Sequence, residues 1–178
     1  MKRASTLLGL GVAALVLQGA LATLLPPPWC PDLALLVLIG IGLRWQGFAG
    51  GLLLAALLGY ATDLLSGSLL GQHALLDLFA FSGTVIAARQ LNLRGTWPLA
   101  FFALVVTFLY GLVMLAITGF FVGGVELRLG WLGAQIIHAA VSGSCAPALS
   151  ALVGRAASWA DDDPGYRSLG LDAIRRPA

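Results

Sequence analysis

The fifteen residues DLLSGSLLGQHALLD, Asp63 to Asp77, concentrate side chains that could do chemistry in an otherwise apolar sequence. They contain two carboxylates and one imidazole, His73. Such groups can act as acid and base, but no metal-ligand spacing, nucleophile motif or phosphate-binding loop accompanies them. A membrane enzyme is therefore the weakest interpretation, and we expect no catalytic residue, no metal site and no cofactor.

The composition around this stretch is that of a membrane protein. Of the 178 residues, 59% are hydrophobic and 10% are charged, and the mean hydropathy is +0.93. These values lie outside the range of soluble proteins. The net charge of +2 is small, and no basic run is interleaved with aromatic residues, so the sequence predicts no nucleic-acid partner. We expect an all-α polytopic membrane protein.

Six apolar segments are candidate transmembrane helices, and a short polar cytoplasmic tail, 154–178, follows them. The segments are 4–25, 32–43, 47–65, 73–88, 98–120 and 131–153. The first resembles a secretory signal but is long enough to cross a bilayer, so we interpret it as a retained span. The second is short, because its apolar run ends at Leu43, and we expect its neighbours to enclose it.

The distribution of basic residues favours six crossings with both termini in the cytoplasm. In that arrangement nine of the ten Lys and Arg residues lie inside, and only Arg128 lies outside. The nine are Lys2, Arg3, Arg44, Arg89, Arg94, Arg155, Arg167, Arg175 and Arg176. If the second segment does not cross, three lie inside and seven outside, which violates the positive-inside rule.

Small and polar residues mark the helix faces that we expect to pack against protein. In the third segment Gly47, Gly51, Ala55 and Gly59 recur every four residues, and this spacing lets another helix approach closely. We name these four residues the α3 stripe. Such stripes pack a protein's own helices more often than they bind a partner, and the sequence leaves both roles open.

The same spacing continues to Asp63, which ends the third segment, and His73 begins the fourth. Gly67 and Gly71 allow positive φ or close approach in the turn between them. Asp77 lies four residues after His73, where an ion pair can form along one helix face. This polar hairpin is either a structural clamp or a docking site for a partner, and the residues alone do not separate the two.

The sequence also resembles a known family. PDL, Pro31–Leu33, opens the second segment, and DLLSGSLLGQHAL, Asp63–Leu75, follows about thirty residues later. Together they resemble the signature of the MreD rod-shape-determining membrane proteins, and the resemblance covers most of the membrane portion in length, span number and motif order. On this basis the candidates for partner binding or for closing the hairpin are Asp32, Asp63, Gly67, Gly71, His73 and Asp77.

The resemblance implies a subunit of the elongation machinery in the bacterial inner membrane. It implies direct binding to MreC, within a complex that contains the MreB filament, the RodA glycosyltransferase and a class B penicillin-binding transpeptidase. It also implies a six-helix fold similar to the substrate-binding S-components of energy-coupling-factor vitamin transporters. The leading prediction is a non-catalytic scaffold that contacts membrane lipid and supports cell-wall synthesis and cell shape, with a homodimer left open.

The alternative function is a vitamin-transporter S-component, because fold does not decide function. In that case aromatic and polar groups should converge at the outer face. Trp29, His73 and Trp131 are the candidates for them.

Overall fold

A computed structural model describes residues 2–44, 47–67, 69–93, 95–122 and 129–161, and all regular secondary structure in this part of the chain is helical. Each helix coincides broadly with one apolar segment of the sequence. The helices are α1 Lys2–Leu24, α2 Leu33–Gly42, α3 Phe48–Ser66, α4 Gln72–Gln90, α5 Thr96–Val122 and α6 Leu129–Asp161. The predicted all-helical class is therefore confirmed.

Four of these helices, α1, α3, α5 and α6, are long and apolar enough to cross a membrane, by length and composition. α2 is apolar but has only ten residues. α4 has 19 residues, and Gln72, His73, Asp77 and Arg89 lower its apolar character. The helices thus indicate a multi-pass membrane protein.

The short helix α2 lies at the centre of the bundle. All ten of its residues are buried, and it packs against each of the other five helices. The prediction that neighbours enclose this segment is confirmed. Because protein surrounds α2 on every side, it does not need the length of a helix that faces lipid.

Around α2 the remaining helices form two antiparallel pairs and a single helix. α3 packs along α4, α5 packs along α6, and α1 contacts α2, α3 and α6. One core cluster joins α1, α2, α3, α4 and α6 around Phe81, Leu58 and Val153. A second joins α2 to α5 and α6 around Ile39 and Ala103.

Charge divides the described part of the molecule into two ends. Consecutive helices run in opposite directions, and the basic side chains Lys2, Arg3, Arg44, Arg89 and Arg155 all lie toward one end, which we call the basic end. The carboxylates of Asp32, Asp63 and Asp77 lie toward the other, which we call the acidic end. Arg94, Arg128 and residues 162–178 lie outside the described residues.

The last helix continues past its predicted end. The sequence predicts a polar tail from Gly154, whereas α6 continues to Asp161. Val153 and Ala157, one turn apart, are both buried in the core with α1 and α2, and this burial extends the helix beyond the apolar run. The predicted tail therefore begins with about two turns of packed helix.

Candidate functional site

Asp63 caps the helix that follows its own. Its carboxylate, at the end of α3, accepts hydrogen bonds from three backbone N–H groups at the start of α4: Gly71 (2.9 Å), His73 (2.9 Å) and Ala74 (3.2 Å). The first N–H groups of a helix have no intrahelical acceptor, and the positive end of the helix dipole attracts an anion. Gly71 stands at the N-cap position and has no side chain to satisfy them, so Asp63 does so from the preceding helix.

Two glycines form the turn that brings this carboxylate into place. Gly67 ends α3 with φ of 66°, and Gly71 precedes α4 with φ of 90°. Both angles lie in the left-handed region, which side chains disfavour. The predicted hairpin therefore reverses direction within the five residues that separate α3 from α4.

His73 completes the contacts around Asp63. Its ring Nδ1 lies 2.9 Å from Asp63 Oδ1, and because a carboxylate only accepts hydrogen bonds, Nδ1 carries the hydrogen. The Asp63 side chain is fully buried, while 14% of the His73 side chain is exposed. The carboxylate is thus enclosed, and the imidazole covers it.

Asp77 makes a different contact from the one that we predicted. The helical spacing suggested an ion pair with His73, but Asp77 Oδ1 accepts from the Tyr110 hydroxyl of α5 at 3.1 Å. The N-terminal N–H groups of α4 hold Asp63 beside His73, and the imidazole contacts Asp63 instead. The rings of His73 and Tyr110 lie 6.3 Å apart, so the two pairs form one polar cluster.

Asp32 is placed at the start of α2 rather than in the hairpin. Its side chain accepts from the Leu35 N–H at 3.1 Å, which is an ordinary N-cap. Two other helices satisfy neighbouring groups: Ser142 Oγ of α6 accepts from the Asp32 N–H at 3.0 Å, and Gln18 Oε1 of α1 accepts from the Ala34 N–H at 3.1 Å. Asp32 therefore caps the buried helix, and Gln18 and Ser142 fix its start between α1 and α6.

The α3 stripe packs against α4 of the same chain. A Cβ at Gly59 would lie 2.5 Å from Ala74 Cα, and one at Gly51 would meet the ring of Phe81. Ala55 is fully buried in the core, whereas Gly47 is the exposed N-cap of α3. Three of the four residues thus face the interior, and Gly59 holds the start of α4 close enough for Asp63 to cap it.

Sequence reasoning assigned no role to Tyr110 or Gln72. Gln72 Nε2 donates to Met114 O and Thr118 Oγ1 of α5, both at 3.2 Å, so Gln72 and Tyr110 join the hairpin to α5. Their partners lie more than thirty residues away in the chain, where spacing carries no information. A single polar group inside a long apolar segment is the only signal that marks Tyr110 and Gln18.

The hairpin presents an apolar surface outside its polar interior. Leu64, Leu65, Leu69 and Leu70 are exposed around the turn, and we call these four residues the leucine tip. A cavity of about 370 Å³ lies between the tip and α5, with Ile117 and Phe121 on its far wall. Among the described residues, no three His, Cys, Asp or Glu side chains lie together as a metal site requires.

Comparisons of this chain with protein-family models, with curated proteins and with solved structures find no match.

Proposed function

We propose that this chain is an MreD-like, non-catalytic scaffold of the bacterial rod complex that binds MreC through the leucine tip. The observation that carries the proposal is the separation of polar and apolar side chains in the hairpin. The polar residues of the motif, Asp63 and His73, turn inward and lock its end, and the leucines between them face outward. An exposed apolar tip beside a cavity suits the docking of an apolar partner segment.

The same proposal includes six membrane crossings, an arrangement similar to the S-components, and both termini in the cytoplasm of a bacterial inner-membrane protein. Support comes from six helices of alternating direction and from the basic end, which contains both the start of α1 and the end of α6. By the positive-inside rule that end is cytoplasmic. MreB, RodA and the transpeptidase are then partners in the larger complex.

Copurification with MreC tests the proposal. Replacement of Leu69 and Leu70 by alanine removes apolar surface from the tip, and we expect MreC recovery to fall about tenfold, the effect of roughly 1.4 kcal/mol of lost binding. The matched control replaces Leu53 and Leu57, which are exposed on the middle of α3. The control should keep MreC, and both variants should unfold at the temperature of the parent.

Two results would count against this function. Equal MreC recovery from both double variants would remove the leucine tip as the binding surface. Recovery of a vitamin-sized molecule without MreC, after gentle solubilisation and mass identification, would favour the transporter alternative instead.

A further inference from the structure

A second cavity, of about 560 Å³, opens at the basic end, between the ends of α2 and α4, the beginning of α5 and residues 147–151 of α6. Its volume lies within the range of small-molecule sites, ~300–1,000 Å³. Polar groups, including the side chains of Arg44, Asn92, Thr96 and Ser150, make up the larger share of its lining, and apolar side chains make up the rest. The apolar lining residues are Leu43, Ala88, Leu91, Leu93, Leu99, Pro147 and Ala151.

Arg44 is held in place at this cavity by one of its two terminal nitrogens. Its Nη1 donates to Ser150 Oγ at 2.8 Å and to Gly40 O at 3.4 Å. Gly154 leaves room for the guanidinium, because a Cβ there would lie 3.1 Å from Nε. The described residues provide no hydrogen-bond acceptor for Nε or Nη2.

The charge of Arg44 is also uncompensated within the described part of the chain. The carboxylates of Asp32, Asp63 and Asp77 lie toward the acidic end, and no described carboxylate pairs with Arg44. The free edge of a guanidinium forms two parallel hydrogen bonds to the oxygens of a phosphate group. The start of α5 at Gly95 and Thr96 adds the positive end of a helix dipole to the same cavity.

We propose that this cavity binds the phosphate headgroup of an anionic membrane lipid. Arg44 pairs with the phosphate, and Asn92 and Thr96 face the polar part of the headgroup. The apolar lining contacts the part of the acyl chains next to the headgroup. The combination of an uncompensated cation with apolar walls, at the ends of several membrane helices, favours a lipid over a free phosphate compound. This inference does not depend on MreC binding.

Lipid retention tests the site. The purified full chain is equilibrated in mixed micelles with equal amounts of phosphatidylglycerol and phosphatidylcholine, and retained lipid is quantified by mass spectrometry. We expect preferential retention of phosphatidylglycerol. Arg44→Gln should lower that retention about tenfold, because a charge-assisted pair is lost, while Arg155→Gln removes the same charge from an exposed position outside the cavity and should change it less than about twofold.

A second variant keeps every charge and tests the cavity itself, which matters if Arg44→Gln destabilises the fold. Ala151→Trp fills the cavity from an exposed position on α6, and Ala148→Trp adds the same bulk on an exposed face outside it. Only Ala151→Trp should lose phosphatidylglycerol. Equal losses from both tryptophan variants, or from both arginine variants, would overturn the proposal.

Two further experiments test whether something other than a lipid occupies the cavity. Displacement of phosphatidylglycerol by millimolar inorganic phosphate would assign the cavity to free phosphate compounds and overturn the lipid assignment. In the sequence, Asp161 at the end of α6 begins an acidic run that continues to Asp163. If phosphatidylglycerol is retained only after these three residues are replaced by asparagine, the chain's own tail fills the cavity. That result would also overturn the proposal.

Discussion

Asp63 and His73 are neighbours with unequal roles. Three backbone N–H groups and one imidazole donate to the buried carboxylate of Asp63, so Asp63 is the centre of the hairpin and His73 is one of its donors. Removing the carboxylate leaves several donors unsatisfied, whereas removing the ring leaves the three backbone hydrogen bonds in place. A buried polar group without a partner destabilises a fold more than the loss of one partner among several.

We therefore predict an asymmetric effect of alanine substitution. Asp63→Ala should lower the free energy of unfolding by roughly 3–5 kcal/mol, as expected when a buried charged network loses its central member. His73→Ala should lower it by about 1.5–3 kcal/mol, the scale of one hydrogen bond to a charged group. The double variant should cost little more than Asp63→Ala alone, because the interaction is already absent. Thermal or denaturant unfolding in detergent measures all three.

Equal losses from the two single variants would contradict the capping role. The same variants separate the clamp from the docking site, because His73→Ala is expected to stay folded. If folded His73→Ala restores rod shape in cells that lack the parent protein, the hairpin acts as a clamp. If it stays folded but does not restore rod shape, His73 contributes directly to the complex.

The sequence could predict that Asp63 and His73 meet, because they lie ten positions apart and two glycines in the short connection between two apolar helices specify a tight hairpin. It could not predict that Asp77 pairs with Tyr110. That contact depends on how α5 packs against the hairpin, which is a property of the whole bundle. Helical spacing identified a face for Asp77 but not the partner on that face.

At the scale of elements, the α3 stripe sets the distance between α3 and α4. Gly59 faces the backbone of α4 at Ala74, which cannot move aside as a flexible side chain can. Gly51 faces the ring of Phe81, which is itself fully buried. The regular four-residue spacing predicted a packing face, and the structure adds that Gly59 is the position with the least room.

Gly59→Ala should separate the two helices and weaken the cap at Asp63. We expect a loss of about 1–3 kcal/mol in the free energy of unfolding, the usual effect of overpacking. The control is Gly83→Ala on α4, where a Cβ would meet nothing within 4 Å. That variant should be neutral or stabilised by up to ~1 kcal/mol through helix propensity. An unchanged unfolding temperature in Gly59→Ala would rule out close packing at this position.

The buried helix α2 shows where sequence pattern stops being informative. Its apolar run predicted an enclosed segment, and its shortness predicted protein on all sides. Gln18 of α1 and Ser142 of α6 accept from N–H groups at its start, and Arg44, which also donates to Ser150 of α6, donates to Gly40 O at its end. A single polar residue in an apolar segment does not indicate which other helix its side chain will contact.

At the scale of the whole molecule, each apolar segment predicted from the sequence coincides with one helix of the described residues. The bounds agree to within a few residues, except at the end of α6. Hydrophobic runs and breaker residues define such segments locally. Burial of Val153 and Ala157 against other helices is not local, and so the pattern of α6 past Gly154 gave no signal. Orientation in the membrane rests on the basic end and stays a prediction.

Cysteine labelling tests that orientation. The native Cys30 lies between α1 and α2 toward the acidic end, and a cysteine in place of the exposed Ser158 lies toward the basic end. With Cys145 replaced by serine, an impermeant thiol reagent added outside spheroplasts should label Cys30. A cysteine at position 158 should react only after the membrane is opened, because the positive-inside rule places the basic end in the cytoplasm.

The rate of Cys30 labelling should depend on pH. Burial raises the pKa of the Cys30 thiol, and the negative charge of Asp32 raises it further. A raised pKa leaves less thiolate at neutral pH, so labelling of Cys30 should be slow there and should accelerate as the pH rises through and beyond the ordinary thiol value of ~8.5. Asp32→Asn keeps an N-cap for α2 and should shift this rate profile to lower pH.

Two labelling results would contradict the proposed orientation. External labelling at position 158 in intact spheroplasts, with Cys30 labelled only after lysis, would reverse it. Labelling of both positions from one side would mean that the bundle does not cross the membrane as proposed.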